Sequence, residues 1–421
     1  MLRFRPPGKA SGVSEALSYL SGSPSHNELL DGLNSGFGPY SPRLSEELAN
    51  HGWETLDVPL GVPELMTAWE REQGPLPASL DRTSAYALAL IRSWRPNVLI
   101  DTNAKFISLN AVKRAREVDP ELALTITTLG TPKRFARALA SDVILVACPS
   151  FKEPLRQARA RSVIDFPHAF DDRILRHLQG ATPHRPIVFS GSIGAPGQGA
   201  RLRTLEALLE ETPIECWVNE PRPALAVERR RGDLQYASQR LLARAARLPL
   251  WISGLSKILR STGRLAGTLD DALASILDSR SSENASTVHD PLASRFPGRV
   301  HPPVYGLSML RLLREAQVVF HRSIDNVGSC SGALRLYEAT GVGAALMTDR
   351  SGDLGKYFEI DREVATYSTP EEAVAVARRL MSDAAHREEV ARAGTERTLR
   401  DHTFASRAKL LNDVLRSELQ I

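Results

Sequence analysis

The segment HRSIDNVGSCSGALRLYEATGVGAALMTD, His321 to Asp349, compresses a strand-loop-helix-strand unit into one short run. A polar loop leaves the apolar strand Gln317 to Phe320. A helix is expected from Gly332 to Thr340. Gly341-Val342-Gly343 then ends the helix and turns the chain into a buried strand, Ala344 to Met347. Arg335 and Glu338 stand one helical turn apart on one face. Free N–H groups near Gly332 and Ala333 suit an anion. The Arg335 fork matches diphosphate oxygens, and Glu338 can accept hydroxyls of a ribose or sugar. The competing reading is a plain intrahelical Arg–Glu pair on a solvated face.

Working outward, the same grammar repeats. The second half opens on the strand Ile187 to Phe189, the turn SGSIG and a helix from Leu202 to Glu211. Further strands follow at Ile214 to Val218 and Val364 to Tyr367. Thr369, Pro370 and Glu372 mark a helix start, and two more helices span His386 to Arg400 and Phe404 to Leu419. The first half reads as a possible strand at Leu17 to Leu20, a Gly-rich loop from Ser21 to Pro42, a helix from Arg43 to Asn50 and a strand from Glu54 to Val58. A helix from Ala85 to Trp94 follows, with strands at Asn97 to Ile100, Ala123 to Ile126, Val143 to Ala147 and Ser162 to Ile164. Strands alternating with helices at this spacing predict an α/β protein with two parallel sheets, the halves meeting near residues 172–185. Ligands of such proteins bind at the carboxyl ends of the strands.

The chain has 421 residues, of which 42% are apolar and 24% charged, enough for two ordinary cores. No run of 18 apolar residues suggests a membrane span. The N-terminal MLRFRPPGKASG lacks a signal peptide's apolar region, so a cytoplasmic protein is expected. Cys148, Cys216 and Cys330 are widely spaced and odd in number, giving neither a disulfide framework nor a metal site. A net charge of +4 with scattered arginines, and no reader motif, argues against a nucleic-acid partner. Within Arg240 to Arg264, basic residues mix with Leu, Ile and Trp251. Two packed short helices account for that, and peripheral membrane contact at 240–264 is the sharper alternative.

Other positions carry candidate chemistry. The turn at Ser190, Gly191, Ser192 and Gly194 can present backbone N–H groups to a diphosphate, though its spacing is not a dinucleotide fingerprint. Arg322, Asp325 and Asn326 form a mixed donor–acceptor loop suited to sugar hydroxyls. His321 reads as a ligand contact, a general base or a satisfied neutral histidine. Pro302 to Gly306 is a rigid turn whose Tyr305 can wall a base pocket. In the first half, Gly36 and Gly38 leave room for a ligand, with Asp31 and Asn34 nearby and Tyr40 opening the next helix. His168 is the best single candidate at the junction of the halves, with a structural histidine as the equal alternative. Asp171 is placed to cap a helix from Arg173 to Leu178.

The run GALRLYEATGVGAALMTDRSGDLGKYF, Gly332 to Phe358, resembles the C-terminal motif of CgeB-like glycosyltransferases. AGTERTLRDHTFASRAKLL, Ala393 to Leu411, continues that likeness through His402-Thr403-Phe404 and Arg407. PHAFDDRIL, VFSGSIG and GLSMLRLLREAQVVFHRSI also fit. The likeness is strongest over residues 300–411. It implies a GT-B fold: a Rossmann-like acceptor domain over 1–180, a Rossmann-like donor domain over 181–402, and a helix over 403–421 that crosses back to the first domain. It implies sugar transfer from a nucleoside-diphosphate sugar to a hydroxyl acceptor (a glycan, a lipid-linked sugar or a small molecule), with no cofactor and no metal. Arg335 would face the diphosphate, Glu338 the donor's hydroxyls, and His168 or Asp31 would be candidate bases. Cys330 stands where related retaining enzymes carry a glutamate, and His321-Arg322 where Asn-His is common. A sugar-nucleotide epimerase or hydrolase on the same scaffold, and a non-catalytic nucleotide-sugar-binding protein, are the alternatives.

Overall fold

The structure is a computed structural model that describes residues 1–7, 13, 17–18, 20, 22–37, 41–130, 134–193, 198–219, 292–323 and 333–421. Two six-stranded sheets, every pairing parallel, divide the strands between them. The first contains β1 (Leu2–Arg5), β2 (Leu56–Pro59), β3 (Val98–Thr102), β4 (Leu124–Leu129), β5 (Val143–Val146) and β6 (Ser162–Asp165), in the spatial order 2-1-3-4-5-6. The second contains β7 (Arg185–Ser192), β8 (Ile214–Asn219), β9 (Val300–His301), β10 (Ala316–Phe320), β11 (Ala345–Asp349) and β12 (Ala365–Tyr367), in the order 12-11-10-7-8-9.

The first sheet is wrapped by α1 (His26–Asn34), α2 (Arg43–Ala49), α3 (Pro63–Gln73), α4 (Arg82–Trp94), α5 (Leu109–Val118), α6 (Phe135–Ala138) and α7 (Lys152–Gln157). Around the second lie α8 (Gly199–Glu211), α9 (Leu292–Arg295), α10 (Gly306–Glu315), α11 (Leu334–Gly341), α12 (Pro370–Ser382) and α13 (Ala384–Asp401), and α14 (Phe404–Leu419) ends the chain.

Period-two alternation in the second sheet shows why it needs helices on both sides. Ile187, Phe189, Val318, Phe320, Ala345 and Met347 pack on one face with Leu205 and Leu208 of α8 and Ala373 and Ala377 of α12. Their neighbours Val188, Val319 and Leu346 point the other way, into Leu310 and Leu313 of α10 and Leu336 and Tyr337 of α11. A strand buried on both faces belongs to a doubly wound sheet. The 12-11-10-7-8-9 order reverses between β7 and β10, which is where such folds open their ligand crevice.

The two halves are tied by two chain crossings. The stretch after β6 runs outward to β7, and the stretch between α13 and α14 runs back. Phe170 and Thr403 form a bridge where they meet, with the Phe170 N–H donating to the His402 carbonyl at 2.8 Å. Arg407 closes the junction. Its buried guanidinium donates to the carbonyls of Pro167 (2.7 Å), His168 (3.1 Å) and Asp401 (3.0 Å), and to His402 Nδ1 (2.9 Å). His402 Nε2 meets the Tyr357 carbonyl at 2.9 Å. A guanidinium only donates and a carbonyl only accepts, so His402 is the neutral tautomer protonated at Nε2. Beyond the junction, Phe404, Ala408, Leu411 and Leu415 of α14 join the core made by Leu44 and Leu48 of α2 and by Val98, Ile100 and Ile126 of the first sheet. The expected return of the last helix to the first domain is therefore present.

Four expectations change. The first strand is Leu2–Arg5, and Leu17 and Leu20 close a turn packed on the core instead. Two arginines hid this strand. Arg3 and Arg5 are both buried, at 2.8 and 2.5 Å from the Asp57 carboxylate of β2, which also accepts from Ser45 at 2.8 Å. The expected loop from Ser21 to Pro42 contains α1, started by a Ser25–Glu28 capping box. Asp171 does not cap its short 3-10 helix, and holds Arg173 through two bonds of 2.9 and 2.8 Å. Cys148 is disulfide-bonded, whereas Cys216 is buried and free. A bridge depends on Cα atoms a few ångströms apart in space, which spacing along the chain does not report.

Candidate active site

Two cavities flank the start of α11. One, of about 240 Å³, lies in the second domain at the carboxyl ends of β7 and β8 and the start of α10. Ser190, Gly191, Ser192, Tyr305 and Arg335 all line it, so tertiary structure gathers five expected residues from three separate stretches. Gly191 is required there because a Cβ would stand 2.8 Å from the Phe189 ring. Tyr305 is exposed, and Trp217, stacked on His301 at 4.5 Å, supplies a second aromatic wall. Neither Tyr305 at the head of α10 nor Ala333 at the head of α11 caps its helix with a side chain. Uncapped first turns leave N–H groups for other acceptors.

Arg335 and Glu338 do pair, at 2.9 Å, and Arg335 Nη1 also touches Met309 Sδ. The pair is not on a solvated face. Glu338 is only 8% exposed and does not line the cavity, while Arg335 does. Burial raises the Glu338 carboxyl above its ordinary range, against the pull of Arg335.

His321 sits at the switch point between β7 and β10. Its Nδ1 is 2.9 Å from Thr348 Oγ1 and 3.8 Å from Asp349, and its carbonyl accepts from the Tyr367 hydroxyl at 2.8 Å. Burial lowers its pKa to about 3. Asp349 opposes that shift, and Arg201, Arg335 and Arg322 add to it. His321 is thus a neutral histidine, held by Thr348 and close to three guanidiniums. Arg322 has a buried Nε without a partner among the described residues. Arg201 escaped the sequence reading. From α8 it donates to the Ser192 carbonyl (3.0 Å) and twice to the Arg322 carbonyl (3.0 and 2.6 Å), stitching the ends of β7 and β10 together. Its place at the start of the helix after the SGSIG turn was the available signal. Asp325, Asn326, Gly194 and Gly332 lie outside the described residues, as do Gly38, Tyr40, Cys330 and the 240–264 segment.

The other cavity, of about 620 Å³, lies between the domains at the carboxyl ends of the first sheet's strands. Thr102, Asn103, Gly130 and His168 face Leu334 of α11 and Phe404 and Arg407 of α14 across it. Leu334 therefore lines this cavity and Arg335 the second-domain one, so the head of α11 separates them. The His168 ring lies beside Gly130, where a Cβ would be 3.4 Å from Nε2, and makes no hydrogen bond to a described residue. Burial, and then Arg407, lower its pKa to about 4, so the imidazole is neutral with a lone pair available at neutral pH.

The loop residues expected on the acceptor side lie elsewhere. Asp31 is exposed on α1, and Gly36 faces open space. Asn34 is engaged with Arg5 and donates to the Asp57 carbonyl at 3.1 Å. None of the three lines either cavity. Among the described residues, no three His, Cys, Asp or Glu side chains gather as a metal site, and no helix is long and apolar enough to cross a membrane.

Two Rossmann-like domains facing a cleft, with a terminal helix crossing back, define the GT-B architecture. A family model described as "Glycosyl transferase-like" matches residues 270–413. Among solved structures, Anabaena HepE in complex with UDP-glucose is similar, with 12% identity, 99% of each chain covered and a TM-score of 0.55. Sucrose-phosphate synthase from Thermosynechococcus elongatus shows 11% identity, 100% of this chain and 98% of that one covered, and a TM-score of 0.55. A glycosyltransferase from Rickettsia africae shows 9% identity, 99% and 98% coverage and a TM-score of 0.54. At these identities the likeness is one of fold. No curated protein matches the chain.

Proposed function

We propose that the chain is a CgeB-like glycosyltransferase, using a nucleoside-diphosphate sugar as donor and a hydroxyl as acceptor. The head of α11 supports this most directly, with Arg335 in the second-domain cavity and Leu334 in the interdomain one. A diphosphate lying across that helix end would meet Arg335, the backbone around Ser192 and the field of Arg201 and Arg322. The base would rest between Tyr305 and Trp217, and the sugar would face His168.

In the transfer, the bond from the sugar's C1 to the diphosphate oxygen breaks, and its electron pair leaves with the diphosphate. The acceptor oxygen bonds to C1 and gives up its proton. His168 takes that proton if the enzyme inverts, and the departing phosphate oxygen takes it if the enzyme retains. Guanidiniums and N–H groups aimed at the leaving group stabilise the charge it develops, so this route requires no metal. Glu338 acts as a positioning residue that holds Arg335 at the cavity edge.

Thermal-shift measurements with UDP, GDP, dTDP and CMP sugars test the reading, and stabilisation by at least one is expected. If none stabilises the chain, the proposal fails. Arg335→Ala removes a charge-assisted phosphate contact, so nucleotide affinity should fall by roughly tenfold to a hundredfold. Unchanged affinity would refute the clamp.

A further inference from the structure

A third cavity, of about 680 Å³, opens on the first domain beside the interdomain one and shares Lys105 and Arg134 with it. Its size suits a sugar-sized ligand. Four cations line it: Lys105, Arg114, Arg134 and Arg137. Asp81 is the one carboxylate lining it, and its Oδ1 already accepts from the Ser84 N–H at 3.0 Å as the cap of α4. Neither Lys105 nor Arg114 forms a salt bridge among the described residues, though Asp101 attracts Lys105 through space. Arg137 donates to the carbonyls of Ile107 (3.1 Å) and Lys105 (2.9 Å), and the buried Asp101 carboxylate attracts it only through space.

The backbone beneath is built with strain. Asn103 and Ala104 are consecutive left-handed residues, with φ of 66° and 47°. Alanine has no preference for that region, so the surroundings must impose it. Here Thr128 and Thr127 accept from their N–H groups at 2.9 and 3.1 Å. The buried Asp101 carboxylate accepts from Phe106 and Ile107 at 2.8 and 2.7 Å, completing the turn. The product of this turn is Lys105, placed on the ridge between the two cavities.

We propose that this cavity binds the anionic group, phosphate or carboxylate, of an acceptor whose hydroxyl reaches His168 in the adjoining cleft. The inference rests on the transferase reading and names its acceptor class. An anion there relieves the repulsion among Lys105, Arg114 and Arg137, and the planar guanidinium forks suit its oxygens. Neutral acceptors would leave that charge uncompensated.

Binding of glucose, glucose 6-phosphate and glucuronate to the full chain, followed by NMR titration at low and moderate salt, is the test. Either anionic sugar should bind at least tenfold tighter than glucose and weaken as salt rises. Lys105→Glu and Arg114→Glu, both at exposed positions, should each abolish that preference, and Arg114→Glu, outside the interdomain cavity, should leave nucleotide stabilisation unchanged. Equal binding of all three sugars, no binding of the anions, or indifference to both charge reversals would overturn the proposal. The donor reading is judged separately. Arg335→Ala should lose nucleotide and keep the anion, and a chain that binds the anion but no nucleotide would refute the transferase while leaving the anion site standing.

Discussion

Replacing Arg407 by alanine tests how the two domains are held together. The guanidinium is 6% exposed and serves four acceptors: the carbonyls of Pro167, His168 and Asp401, and His402 Nδ1, at 2.7–3.1 Å. The substitution leaves those acceptors without their donor. A buried acceptor stripped of its partner costs about 1–3 kcal/mol, and water entering from the adjoining cavity recovers part of that. Burying the cation was itself costly, as the downward shift of its pKa shows, and that cost is relieved. With three carbonyls at the low end of the range, the net loss should be about 3 kcal/mol. Arg407→Lys keeps the charge but has no fork to span acceptors from both crossings, so it should recover less than half of the loss. Urea unfolding measured by circular dichroism gives both values. A loss below about 1 kcal/mol for alanine, or full recovery by lysine, would refute the view that this side chain latches the domains. Because His168 is carried by the same crossing, turnover should fall more than donor affinity.

Acid should loosen the same junction. The His402 pKa is lowered from 6.5 to about 4, by burial first, with Arg407 adding to it. The unfolded state therefore binds the extra proton first, and stability falls as pH drops from 6.5 toward 4. The slope should be about 1.4 kcal/mol per pH unit for each such histidine. His168 and His321 shift the same way, so His402→Gln should flatten the dependence of urea midpoint on pH only in part, and an unchanged profile would contradict the assignment of His402 as a neutral acceptor. Gly341→Ala places a Cβ 2.5 Å from the Phe170 ring at the crossing. It should cost about 1–3 kcal/mol in the same urea assay, and a neutral outcome would mean that Phe170 is not pinned there.

Much of the scaffold was legible because its signals are local. Short apolar runs separated by helical periodicity marked most strands, and the Thr369-Pro370-Glu372 start of α12 stands as read, with Glu372 N–H donating to Thr369 Oγ1 at 3.2 Å. The return of α14 rested on the family resemblance. Where reading failed, a local signal was cancelled by a distant partner. LRFR looks too charged for a buried strand until Asp57 arrives from β2.

The sequence by itself determined two doubly wound halves and several residues of the second-domain cavity, because period-two burial and Gly-rich turns are written residue by residue. Which side chains meet was decided only by tertiary structure. Folding brought Tyr305 beside Ser190 and Arg335, turned Glu338 inward, made His321 a neutral member of the core, and gathered Lys105, Arg114, Arg134 and Arg137 around one cavity of the first domain. The physical reason is that burial and charge compensation are properties of neighbours in space, and those neighbours come from stretches far apart in the chain.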